Sequence, residues 1–257
     1  MSKYHGKFIW YDVMTSDCKA AESFYKRALG WSAKDSGMGD RSYTLLSAGP
    51  VTVGGLMPIT DEAKKMGVPP CWTGYIAVDD VDAYAARVKT AGGKVHRGPE
   101  DIPGVGRFAV VADPHGAVFI IMKGSSGEEP PTVAPDAPGH VGWRELHAGD
   151  GKGAFAFYSG LFGWRKAEAI DMGAMGVYQT FSTGNGAVGG MMTRMPETHA
   201  PFWLYYFNVD ALDAAVARVT QAAGRVALEP HQVPTGQWIA QAFDPQGAMF
   251  GLLAPKR

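Results

Sequence analysis

The chain has 257 residues, 46% of them hydrophobic and 19% charged, a composition that excludes a disordered protein. Its 24 basic and 25 acidic side chains leave a formal charge of −1 with no basic run, so neither nucleic acid nor a membrane is an expected partner. No stretch approaches the ~20 apolar residues of a membrane span, the opening MSKYHGKFIWYDV lacks the pattern of a signal peptide, and Cys18 and Cys71 suggest neither a disulfide framework nor structural zinc, so a cytoplasmic protein is expected.

The first predicted element is a strand over Phe8–Met14, aromatic and β-branched. Ser16 or Asp17 then caps a helix whose Ala20, Ala21, Phe24, Tyr25 and Ala28 recur at three- and four-residue spacing, with Gly30 as its stop. Two strands follow, Ser42–Ala48 and Val51–Met57, the second carrying Gly54-Gly55, a pair that signals a bulge or a close approach to the backbone. Thr73–Val78 reads as a strand, and Asp79 or Asp80 caps a helix from Val81 to about Ala91, closed by Gly92-Gly93. Phe108–Ala112 turns through Asp113-Pro114-His115-Gly116 into a return strand, Ala117–Met122.

The same order then recurs. Phe24-Tyr25 and Gly30-Trp31 return as Phe157-Tyr158 and Gly163-Trp164, and Trp10 returns as Trp143, all at an offset of 133. Gly54-Gly55 returns as Gly189-Gly190 at 135. Trp72 and Asp113-Pro114 return as Trp203 and Asp244-Pro245 at 131, and a helix over Asp210–Ala223, closed by Gly224, copies the second helix. Two domains are expected, 4–124 and 138–257. The Gly-, Ser- and Pro-rich stretch 125–137 between them reads as a linker. Each unit combines two βαβ-type halves with extra strands, an α+β pattern.

This ordered set, occurring twice, resembles the vicinal oxygen chelate group of glyoxalases, bleomycin-resistance proteins and dioxygenases. The resemblance implies tandem glyoxalase-type domains built from βαβββ modules, with curved sheets around a cavity for a small molecule. It also implies a divalent metal held from the first and last strands of a domain. The corresponding positions here are Trp10 and Ile120 in the first unit and Trp143 and Gly251 in the second, none of which offers a donor, so no metal or other cofactor is expected.

Alternation along the first strands places Trp10 with Asp12, and Trp143 with Glu145 and His147, on common faces. Asp12, Glu145 and His147 can be acid/base groups, ligands of a displaced metal, or a structural polar network. Trp72, Trp203, Tyr205 and Tyr206 can line the cavity or fill the core, and Met191 can serve as a pocket wall or a gap-filler. Trp31 and Trp164 are expected to pack helix on sheet. Two functions stay open. One is a binder of a small apolar or aromatic molecule through Trp10, Trp143, Trp72, Trp203, Tyr205 and Met191. The other is a glyoxalase-, lyase- or oxidoreductase-type enzyme using Asp12, Glu145 and His147, and whether a homodimer forms is also open.

Overall fold

The computed structural model describes residues 2–38, 42–125 and 133–257. The first run is β1 (Phe8–Thr15), α1 (Cys18–Leu29), β2 (Ser32–Asp35), β3 (Thr44–Ala48), β4 (Val51–Pro58) and a short α2 (Asp61–Lys65). Next come β5 (Cys71–Ala77), α3 (Val81–Thr90), β6 (Lys94–Ile102), β7 (Gly106–Ala112) and β8 (Val118–Gly124). The second repeat supplies β9 (Val141–Ala148), α4 (Gly151–Phe162), β10 (Arg165–Asp171), β11 (Val177–Ser182) and β12 (Gly189–Thr193). It ends with β13 (Phe202–Asn208), α5 (Leu212–Gln221), β14 (Arg225–Gln232), β15 (Trp238–Phe243) and β16 (Met249–Ala254). The strands form two eight-stranded sheets, ordered β2-β3-β4-β1-β5-β8-β7-β6 and β10-β11-β12-β9-β13-β16-β15-β14. Each is two βαβββ modules long, so the α+β expectation holds. Of the expected linker, 126–132 lies outside the described residues.

Local chemistry explains where the helices begin and end. Asp17 and Asp80 are the caps, each accepting a hydrogen bond at 3.0 Å from the backbone N–H three residues on. Gly30 and Gly163 end α1 and α4 with φ of 72° and 71°, in the left-handed region open to glycine. The end of α5 departs from expectation. Ala223, not Gly224, takes the left-handed turn, at φ 66°, in a conformation that costs an L-residue roughly 1–2 kcal/mol. Gly224 is needed for space instead, because a Cβ there would stand 2.7 Å from Val219 and 2.8 Å from Phe24.

The described residues gather into two compact units, and each draws on both sequence repeats. One comprises Met1–Trp10, Thr73–Pro130 and Arg144–Trp203; the other comprises Tyr11–Trp72, Pro131–Trp143 and Leu204–Arg257. In the first unit α3 packs on α4. Its core stacks Tyr158 on Trp164, with ring centroids 5.2 Å apart, and sets Trp203 edge-on to Tyr158. Trp203 Nε1 donates to Tyr158 Oη at 3.1 Å. In the second unit α1 packs on α5. Tyr25 stacks on Trp31, and Trp72 lies edge-on to Tyr25 and donates to its Oη at 2.9 Å.

The second unit adds a link between residues 219 apart in sequence. Tyr25 Oη donates to Asp244 Oδ2 at 3.0 Å, while Asp244 Oδ1 accepts the N–H groups of Gln246 and Ala248. The Phe-Tyr and Asp-Pro motifs thus meet in the core, one from each repeat. Burial raises the Asp244 carboxyl above its ordinary value and pushes the Tyr25 phenol well up, the neighbouring Asp244 charge adding to the latter.

Candidate functional site

The glycine pairs fix the geometry of the strands that carry the candidate carboxylates. In the second unit β4 runs parallel to β1 with Gly55 opposite Asp12. Tyr43 Oη donates to Asp12 Oδ1 at 2.7 Å, and a Cβ on Gly55 would overlap both that hydroxyl and that carboxylate. In the first unit β12 runs parallel to β9 with Gly190 opposite Glu145. Tyr178 Oη donates to Glu145 Oε2 at 2.9 Å, and a Cβ on Gly190 would overlap the Tyr178 ring. The second glycine of each pair is therefore the floor on which a tyrosine lies to reach a carboxylate. The first glycine lets the strands close up, since a Cβ on Gly54 would stand 2.5 Å from the Tyr11 carbonyl oxygen.

The two arrangements part at the next residue along the strand. Beside Glu145, His147 Nε2 meets Glu145 Oε1 at 2.9 Å, and the imidazole lies flat against Phe202, with centroids 4.6 Å apart and planes 4° from parallel. Glu145 is 9% exposed and the His147 side chain 17%, so the imidazole is held yet reachable. Asp12 is 3% exposed. At the repeat offsets Met14 stands for His147 and Cys71 for Phe202.

Trp10, partly buried, packs in the first unit against an apolar cluster of Tyr75, Phe108, Ile120 and Met122. Tyr75 is opposite Ile120 in the β5–β8 ladder. In the second unit Tyr206 is opposite Gly251, a Cβ on Gly251 would overlap its ring, and Gln241 Nε2 donates to Tyr206 Oη at 2.7 Å. Trp143 is partly buried. The other residues singled out as pocket-lining lie in the interior. Trp72 and Trp203 are in the aromatic cores, Tyr205 is fully buried edge-on to Tyr11, and Met191 is fully buried opposite Leu146, facing away from Glu145.

The structure thus adds Tyr43, Tyr178, Phe202 and Gln241 to the residues that sequence reasoning named. Tyr43 and Tyr178 carried a usable signal, being 135 apart like the glycine pairs they lie over.

The model of the Glyoxalase/Bleomycin resistance protein/Dioxygenase superfamily matches residues 7–121 and 138–252. The chain belongs to that superfamily. It is 33% identical over 248 residues to the Mycobacterium tuberculosis protein CFP32, whose name carries a provisional glyoxylase assignment, covering 96% of this chain and 94% of that one. It is 35% identical over 261 residues to the anthracycline biosynthesis protein DnrV of Streptomyces peucetius, covering 95% and 91%. The Mn(II)-bound glyoxalase of Novosphingobium aromaticivorans shares the superfamily fold at a TM-score of 0.68 and 15% identity, over 98% of this chain and 83% of that one. Among the described residues no helix is long and apolar enough to cross a membrane.

Proposed function

We propose that this superfamily member binds a small apolar or aromatic molecule through partly exposed aromatic side chains, without the divalent ion its family uses. The observation that carries this reading is the Trp10 cluster. Trp10 and Ile120 stand where the family resemblance calls for metal ligands, and both belong to one apolar cluster with Tyr75, Phe108 and Met122. An indole and an alkyl group offer a metal no lone pair, but they offer a flat ring a surface to cover. The corresponding Trp143 and Gly251 are no better as donors, and the backbone at Gly251 is covered by the Tyr206 ring. The metal does not fit these positions.

Burying apolar area yields roughly 25 cal/mol per Å², so a few hundred Å² on such a wall is a main favourable contribution, set against the entropy lost on association. The names of the anthracycline biosynthesis relatives favour a flat polycyclic ligand. The test is a fluorescence titration with 1,4-dihydroxyanthraquinone and two smaller naphthoquinones, run with and without EDTA. Trp10→Ala is expected to weaken binding about thirtyfold, equivalent to about 2 kcal/mol, and EDTA to leave it unchanged. Affinity indifferent to Trp10→Ala, or lost with EDTA, would sink the reading.

A further inference from the structure

We infer that the Glu145–His147–Tyr178 group is a metal-free proton-transfer site, where His147 Nδ1 takes a proton from the carbon beside the carbonyl of a flat aromatic ketone. The inference rests on the reading of the chain as a binder of aromatic molecules and adds a reaction to it. Glu145 receives a hydrogen bond on each oxygen, from His147 Nε2 and from Tyr178 Oη, both at 2.9 Å. An ionised carboxylate only accepts, so the neutral imidazole carries its proton on Nε2 and keeps its lone pair on Nδ1. Nδ1 has no hydrogen-bond partner among the described residues, and the ring is fixed in orientation by Phe202 as well as by Glu145. His147 is the catalytic base of this scheme, and Glu145 is a positioning residue.

The substrate class follows from what such a base can improve. Protons on oxygen or nitrogen move quickly without help, whereas carbon acids release theirs slowly, and a base held in a fixed orientation accelerates that step. The C–H bond breaks, its electron pair forms the enolate, and the proton goes to Nδ1. Return of a proton from the imidazolium to either end of the enolate completes the cycle. Nothing is oxidised or reduced and no co-reactant is consumed. The Asp12–Tyr43 arrangement lacks this capacity, since Met14 stands in place of the imidazole.

The test uses 2-tetralone, 1-indanone and phenylacetone in D2O. Deuterium at the carbon beside the carbonyl is followed by mass spectrometry, and binding of the same ketones by saturation-transfer NMR, each with and without EDTA. Wild-type protein is expected to speed exchange over buffer. His147→Gln and His147→Asn should each remove about a hundredfold or more of that acceleration while the saturation-transfer signal persists. Glu145→Gln should lower the maximal rate but leave the half-saturating ketone concentration in place, and Met14→Leu should change neither. Binding without exchange, exchange that survives both His147 variants, or exchange that requires a chelatable ion overturns the proton-transfer site and leaves ligand binding standing. Failure of all three ketones to bind or exchange overturns the proton-transfer site, while the binding reading stands or falls on the quinone titration.

Discussion

Two carboxylate–tyrosine pairs, Asp12–Tyr43 and Glu145–Tyr178, are built the same way on the same strands of two repeats, and they differ in what surrounds them. Each hangs over the second glycine of a glycine pair. Asp12 has methionine and cysteine at the next two corresponding positions; Glu145 has an imidazole stacked on a phenyl ring. The shared part sets the architecture: a strand pair close enough for a tyrosine to lie over it. The unshared part sets the chemistry. The side chain can change without loss of the ladder, because Met14 opposite Met57 and His147 opposite Met192 keep the same parallel pairing.

Filling the glycine floor is the severest way to break this comparison. Gly55→Val and Gly190→Val should each destabilise by about 2–3 kcal/mol, the scale of overpacking a tight site, in urea unfolding. A neutral effect at either would mean that its tyrosine swings clear at no cost. Removing the tyrosine hydroxyl is the next largest change. Tyr43→Phe takes a donor from the more buried carboxylate and should cost about 2 kcal/mol, whereas Tyr178→Phe, beside the less buried Glu145 that His147 also bonds, should cost about 1 kcal/mol. Equal losses would show that the imidazole contributes nothing. The smallest expected effect is a coupling. A double-mutant cycle between Glu145 and His147, read by unfolding, should return about 1 kcal/mol, and one between Asp12 and Met14 less than about 0.5 kcal/mol. Matching values would make the two pairs equivalent.

The strands and helices that bury a face were legible in the sequence. β1, β4, β5 and β8, with α1 and α3, announce themselves by apolar spacing and by their caps. The strands that escaped were β2, β6, β10 and β14, and these are the four at the ends of the two sheets. β10 is exposed at all but one of its seven positions, so no alternation marks it. Asp12, Glu145 and His147 could be found because a strand's two-residue period puts them beside the conspicuous tryptophans. Phe202 could not, because its meeting with His147 depends on the pairing of strands distant in sequence. Nor could period-two reasoning decide between Tyr205 and Tyr206, since both are buried and only the ladder opposite Gly251 distinguishes them. The pairing of Tyr25 with Asp244 was hidden for the same reason: each motif is plain, but nothing local says they meet.

That pairing governs when the protein can finish folding. The loop it closes spans 219 residues, and closure entropy grows with loop length. On a ribosome, the face of α1 that carries Phe24 and Tyr25 emerges long before Phe250 and Asp244, which cover it in the native core. For most of synthesis only Trp31 and Trp72 cover Tyr25, and the part of the face that meets Phe250 and Asp244 stays open, a surface on which incomplete chains can self-associate. Pulse proteolysis of ribosome-stalled chains should show Tyr25 becoming protected only when the last quarter of the sequence is released, and early protection would show that the first repeat folds on its own.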